Sequence, residues 1–289
     1  MTQSSKKRKW HVTLIGAGNL ASAIGPALRA AGYRIDVVAG RALPASRRRA
    51  SALARKLGAR ALKLEDVEPA SDIVWLCHTD DALAETAGLL ARRSGWRDKI
   101  VLHSSGALTS DVLAPLQRMG AQAASLHPMM TFVARATPRL RGVPFAVEGD
   151  RAAVAAARQI VRDLGAESLE IRKEAKVLYH ALGSFSSPLL VATLATAERI
   201  GRTAGLSRKQ LAKIMGPILR QTLKNYLEKG AAAAFSGPIQ RGDLNTVRRH
   251  LKDLESVPGA VAVYRALVQS ALLDLPAKNR KALAELVGK

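Results

Sequence analysis

The sequence is short of cysteine, of aromatic side chains and of acid. Its 289 residues include one cysteine, Cys77, so neither an intramolecular disulfide nor a cysteine-ligated zinc site can form, and a reducing, cytoplasmic setting is expected. With only 4 Phe, 3 Trp and 4 Tyr, it lacks the stacking platforms of a single-strand nucleic-acid binder. Lys and Arg number 45 against 23 Asp and Glu, a formal charge of +22. No helix-turn-helix, zinc-finger or RNA-binding signature accompanies that excess, so a nucleic-acid partner is not expected; the charge also fits avoidance of self-association. No HxxxH pair or associated carboxylate cluster occurs, and no metal is expected.

Long apolar runs are scarce as well. Lys6-Lys7-Arg8-Lys9 ahead of Val12-Thr13-Leu14-Ile15 imitates a secretory signal, but Gly16, Gly18 and Asn19 end the apolar run, short of the roughly 7–15 residues such a signal uses. Val177 to Ala197 carries no charged residue and approaches membrane-spanning length. It also holds His180, Gly183, Ser184, Ser186, Ser187 and Pro188, which favours a buried helix with a functional polar end, and no membrane partner is expected.

What is present is an ordinary globular composition, 48% apolar and 24% charged, with material for a sizeable core. In the first half short β-branched runs alternate with helical stretches. Val12 to Ile15, Arg34 to Ala39, Ala61 to Leu64, Ile73 to Cys77, Ile100 to His103 and Ala123 to Leu126 read as strands. Ala21 to Ala31, Ala45 to Leu57, Asp81 to Arg93 and Ser110 to Met119 read as helices. This alternation predicts an α/β fold with a doubly wound parallel sheet. A further strand is expected around Val143 to Val147, then an Ala-rich helix, Arg151 to Leu164, ended at Gly165. From Glu174 onward the pattern is helical, about 174–205, 207–229, 243–254, 257–273 and 276–287. Two domains follow, 10–165 around the sheet and 166–289 all-α, joined near 165–175 by a packed hinge.

Gly16-Ala17-Gly18-Asn19-Leu20-Ala21 stands between the first strand and the first helix. Gly16 permits the tight turn, Gly18 lets backbone approach a pyrophosphate, and Ala21 allows close helix packing, the arrangement that binds a dinucleotide. An NAD site usually places an acid at the end of the second strand to accept from the ribose 2′-hydroxyl. Here that strand ends Ala39-Gly40-Arg41 and Arg47, Arg48 and Arg49 follow, while Asp36 comes several residues too early. A 2′-phosphate neutralised by Arg41 and one of the later arginines fits better, so NADP is expected. At least two of those three arginines suit a plain solvated helix face.

Four further segments combine polar groups with glycine or proline: Cys77-His78-Thr79-Asp80-Asp81, His103-Ser104-Ser105-Gly106-Ala107-Leu108, Leu126-His127-Pro128-Met129-Met130-Thr131-Phe132, and Ser236-Gly237-Pro238-Ile239-Gln240-Arg241-Gly242-Asp243. The first three follow strands, at the carboxyl ends where open α/β sheets bind ligands. His78, Thr79 and Ser104 are therefore expected beside the cofactor with Gly40 and Arg41, and Ser105 and His127 beside substrate.

The Gly16 loop, His103 to Leu108, Leu126 to Phe132, Lys176 to His180 and Gly237 to Asp243 together resemble the Rossmann-like oxidoreductases that carry the C-terminal domain of unknown function 2520, over about residues 10 to 275. The order of parts is more distantly similar to pyrroline-5-carboxylate reductase, deazaflavin-dependent NADP oxidoreductases and ketopantoate reductase. The resemblance implies an N-terminal Rossmann-type NADP domain and a helical domain that often mediates dimerisation, with substrate held between them. It implies NADPH-dependent hydride transfer to a small carboxylate-bearing C=O or C=N compound: a 2-oxo acid, a ketopantoate-like acid or a cyclic imine acid.

Such chemistry needs a proton donor near the nicotinamide. Lys176 and His180, four apart on one helix face, are the candidates, with Ser184 and Ser187 further along; an exposed helix lysine and a core or capped histidine remain the plain alternatives. Ser187-Pro188 stands where the resembled family usually has Ser-Asn. Arg241 suits a substrate carboxylate, with Asn225 a weaker polar candidate, and Asp243 suits the N-cap of the next helix. The competing reading is a protein that holds NADP without catalysis, as a sensor or a basic nucleic-acid-associated module, motivated by the charge and by Lys6 to Lys9.

Overall fold

The computed structural model describes residues 9–133 and 138–288; Lys6, Lys7 and Arg8 of the basic run lie outside the described residues. The chain divides into two compact units, Met1–Ser184 and Phe185–Lys289.

The first unit opens with β1 (His11–Ile15), α1 (Asn19–Ala30), β2 (Arg34–Gly40), α2 (Pro44–Leu57), β3 (Arg60–Lys63) and β4 (Ile73–Leu76). It continues with α3 (Leu83–Leu90), β5 (Ile100–His103), α4 (Ala114–Gln117), β6 (Gln122–Pro128), β7 (Pro144–Gly149), α5 (Arg151–Asp163) and β8 (Glu167–Glu170). The eight strands form one sheet in the order β3-β2-β1-β4-β5-β6-β7-β8. The reversal of strand order beside β1 is the switch point at which such sheets bind ligands.

Alternation along the central strands sends side chains to both faces. Val12 and Leu14 of β1 and Ile73 and Trp75 of β4 join the core under α1, α2 and α5, while Ile15, Val74 and Leu76 join the one under α3 and α4. The sheet is not wholly parallel as expected: β7 runs antiparallel to β6, with His127 opposite Ala146, and β8 is parallel to β7. The expected strand near 143–147 is real, but its direction is not encoded in a period-2 pattern that reads alike both ways. β8 lies in the stretch expected to be the hinge, where the amides of Glu167 and Ile171 donate to Val143 and Val147.

α6 (Lys176–Ser186) leaves this unit, and the second contains α7 (Pro188–Thr203), α8 (Arg208–Ala234, kinked at Gly230), α9 (Pro238–Arg241), α10 (Leu244–Asp253), α11 (Ala260–Asp274) and α12 (Arg280–Gly288). Ser207 and Gln210 form a capping box on α8, and Asp243 caps α10 through the amide of Thr246 as expected. The single helix expected over 174–205 is instead α6 and α7, parted at Ser187 because Pro188 starts a new helix. The expectation that this apolar stretch is buried fails: by length and composition 173–203 could cross a membrane, yet the chain buries none of its most apolar window. Composition records how apolar a helix is, not whether its own chain covers it.

Candidate active site

Two arrangements occupy the carboxyl end of the sheet. The first is a cavity of about 370 Å³ lined by all of Gly16 to Leu20, by Gly40, Arg41, His78 and Thr79, and also by Ser46, Arg49 and Phe132. Gly16 adopts φ +100°, and a Cβ there would lie 3.0 Å from the Cys77 carbonyl, so glycine is required where β1 turns beside β4. A Cβ on Gly18 would meet nothing within 4 Å, and Ala21 is fully buried against the core. Gly18 caps α1 without any side-chain bond and with no acid in the first turn. The leading amides of α1 therefore face the cavity with the positive end of the helix dipole behind them.

Beneath the end of β2, a Cβ on Gly40 would come within 2.9 Å of the Ser46 hydroxyl, so the glycine lets the first turn of α2 sit over the strand. That packing sets Ser46 and Arg49 beside Arg41; Arg47 and Arg48 do not line the cavity. His78 Nε2 is buried there with no protein partner, and burial first, then Arg41, holds this imidazole below its ordinary pKa. A cradle of amides, two guanidinium groups, a hydroxyl and an orphaned ring nitrogen matches a dinucleotide carrying an extra phosphate. Asn19 donates to the carbonyl of Phe132 at 2.9 Å, closing one rim. Ser104 is not in this lining; its hydroxyl accepts from the indole of Trp75 at 2.8 Å.

The second arrangement gathers β5, β6, β7 and α6. Lys176 is 1% exposed, and its ammonium donates to Ser125 Oγ and to Glu148 Oε1, the latter at 2.9 Å. Glu148 also accepts from the amide of Ser110 at 2.8 Å and its hydroxyl at 2.7 Å. Burial pulls the lysine's pKa below its ordinary value, and the carboxylate opposes that pull. Lys176 is thus neither an exposed helix lysine nor a group held out toward solvent.

One turn on, His180 lies over Gly106, where a Cβ would come 2.4 Å from the His180 ring and 2.8 Å from His127 Nε2. The two imidazoles stand 5.9 Å apart, edge to face, and His127 Nδ1 is 3.1 Å from the Tyr179 hydroxyl. Ser105 is buried, and its hydroxyl accepts from the amides of Ala107 and Leu108, so it shapes the loop around Gly106. His103 is consumed in the same loop: Nδ1 accepts from the Ser105 amide, leaving Nε2–H to donate to the Thr109 carbonyl. Ser184 donates back to the His180 carbonyl. In the second unit Arg241 ends α9 and is exposed, while Asn225, on α8, accepts from Gln221 at 2.9 Å.

The sequence reading missed Ser46, Ser110, Ser125, Glu148 and Tyr179. Glu148 left a signal, an acid within the otherwise apolar strand Pro144–Gly149; such a residue must find a buried partner.

Family models match the Rossmann-like domain over residues 2–128 and the domain of unknown function 2520 over residues 143–271. The chain therefore carries a Rossmann-like domain followed by domain 2520. No curated protein matches the sequence. Among solved structures, this Rossmann-like chain is similar to a Bacteroides fragilis protein described as an NADP oxidoreductase, with 24% identity over 91% of this chain and 98% of that one and a TM-score of 0.77. A reductive aminase from Aspergillus terreus, in complex with NADPH and ethyl-5-oxohexanoate, gives 18%, 96%, 99% and 0.66. The 1-pyrroline-5-carboxylate reductase of Streptococcus pyogenes gives 15%, 98%, 98% and 0.63. At these identities the likeness is one of fold.

Proposed function

We propose that the protein is an NADPH-dependent oxidoreductase that reduces a small carboxylate-bearing C=O or C=N compound, a 2-oxo acid, a ketopantoate-like acid or a cyclic imine acid. The observation that carries this reading is the cradle at the switch point, with Arg41, Ser46 and Arg49 where an NAD site would hold an acid. The descriptions of the structural neighbours as NADP oxidoreductase, reductive aminase and pyrroline-5-carboxylate reductase agree with it. When bound, NADPH supplies hydride to the substrate carbon; the chain supplies binding, orientation and a proton for the developing alkoxide or amine. His180 is assigned that proton, because its ring makes no hydrogen bond among the described residues whereas the Lys176 ammonium is sealed against Glu148 and Ser125. Arg241 is assigned the substrate carboxylate on the strength of its exposed fork of donors, with Asn225 as a weaker polar candidate.

Titration of the two reduced nicotinamides, with NADPH oxidation followed over 2-oxo acids, ketopantoate and 1-pyrroline-5-carboxylate, tests the reading. NADPH is expected to bind more tightly than NADH, and Arg41→Ala to weaken NADPH by about 10–100-fold while barely affecting NADH, the loss of one charge-assisted phosphate contact. Tighter NADH would overturn the cofactor assignment. NADPH binding without turnover, together with retention on DNA that falls steeply with salt, would favour the non-catalytic module instead.

We infer that the protein is a cytoplasmic homodimer. In the second unit Leu189 and Val191 of α7 and Ile214, Ile218 and Leu227 of α8 are exposed, with Leu227 at 79%, and apolar surface on this scale marks an interface. Sedimentation is expected to return twice the chain mass; a monomer at micromolar concentration would refute the assignment.

A further inference from the structure

We propose that Tyr179 is a positioning residue that fixes the tautomer of His127, so that His127 meets the substrate oxygen or nitrogen as a neutral imidazole donating from Nε2, with proton transfer left to His180. This rests on the functional reading above and adds a separate task to the second histidine.

The argument begins with the pair itself. Tyr179 OH and His127 Nδ1 are 3.1 Å apart, and the rings meet edge to face at 90° with centroids 5.6 Å apart. Either atom could in principle donate, but a phenol is a far stronger acid than a neutral imidazole N–H, and a bare imidazole nitrogen accepts better than a phenol oxygen. The hydroxyl therefore donates, Nδ1 accepts, and the ring proton resides on Nε2. Nε2 has no hydrogen-bond partner among the described residues. It faces Gly106, the position where any side chain would intrude to 2.8 Å. The missing Cβ lets both imidazoles close over Gly106, and Nε2 is not among the fully buried unpaired atoms, so its N–H stays within reach of a substrate atom.

The surroundings keep the ring uncharged. From α6 it faces Lys176, Tyr179 and His180; from β5 it faces His103; and Glu148 of β7, the acid beside Lys176, is already engaged by Lys176 and Ser110. Burial, then His180, then Lys176 push His127 down to about 4, while burial pushes the Tyr179 phenol up to about 12. Near neutral pH both partners are therefore neutral. A neutral donor can polarise a C=O or C=N bond through the reaction without surrendering its own proton, which separates its work from that of an acid.

The test is ¹⁵N NMR of the ligand-free protein with labelled histidine, which needs no substrate and so stands apart from the functional reading. At pH 7 His127 of the wild type is expected to show a protonated, pyrrole-type Nε2 and a bare, pyridine-type Nδ1; a protonated Nδ1 would overturn the proposal whether or not any variant folds. In Tyr179→Phe the two nitrogen signals are expected to move toward a mixture of tautomers. The His127 pKa should rise, because the lost bond stabilised only the neutral ring. With substrate in hand, the acid limb of kcat/KM should move to higher pH in that variant while kcat/KM falls about ten-fold, the worth of one hydrogen bond. A merely packing role for Tyr179 would lower stability and leave the tautomer and the limb where they were, and that result would also sink the proposal.

Discussion

Acidification from pH 6.5 to 4 is expected to remove on the order of 5 kcal/mol from the stability of the sheet unit, a large share of the whole for a protein domain. Two imidazoles cause most of it, and His78, also held below its ordinary pKa, adds in the same direction. His103 is pushed down to about 3, first by burial and then by Lys176, and His127 to about 4 by burial, His180 and Lys176. Both titrate at their ordinary value of 6.5 when the chain unfolds. Above pH 6.5 neither state binds these protons, so the full stability is present. As pH falls, the unfolded chain takes up protons that the folded one refuses, and each ring subtracts about 1.4 kcal/mol per pH unit until its folded pKa is reached. Urea unfolding followed by the fluorescence of the buried Trp75 and Trp96 should show a midpoint that drops steadily over this window. Removing one ring with His103→Asn should roughly halve the slope, whatever its cost at pH 7. A midpoint that did not move with pH would mean that both imidazoles accept protons within the fold.

That sensitivity comes from contacts the sequence could show only in part. The cradle was legible because its parts are local: Gly16 to Ala21 follow β1 directly, and β2 ends at Gly40 with Arg41 next. Helix caps are equally local, and Asp243 is the cap its position suggests. The histidine cluster is different. His103 and His127 both stand at the ends of strands, yet one is spent on its own loop while the other stays open at Nε2, a difference set by a serine amide and a glycine two and three residues after His103. Lys176 meets Glu148 and Ser125 only because the antiparallel turn of β7 brings 148 opposite 125, and nothing in residue spacing announces that reversal. β8, with the sequence Glu-Ser-Leu-Glu, is an exposed edge strand without the alternation that burial imposes.

The ion pair between Lys176 and Glu148 decides what the lysine does, and its two halves can be separated. Glu148→Gln should destabilise the folded protein by about 3–5 kcal/mol near neutral pH, because it strands an ammonium in a site that is 1% exposed. The sign of the pH dependence identifies the cause. Burial already lowers the lysine's pKa, and without the carboxylate it falls further below the unfolded value of about 10.4. Between those two values the unfolded chain binds the proton that the folded chain has shed, so the variant's stability should climb as pH rises from the lowered folded value toward the unfolded one. The wild type, with the pair intact, should show a shallower climb. Adding Lys176→Met to Glu148→Gln removes both charges; the amide can still accept from the Ser110 amide, and most of the lost stability should return. The double variant also tests the assignment of the acid. With Lys176 acting only to tie α6 to β6 and β7, the refolded double variant should keep His180 over Gly106 and retain kcat within about ten-fold of the wild type, whereas loss of the true general acid would cost about 10²–10⁴. Full recovery of stability with kcat lowered by that larger factor would return the proton to Lys176 and remove it from His180.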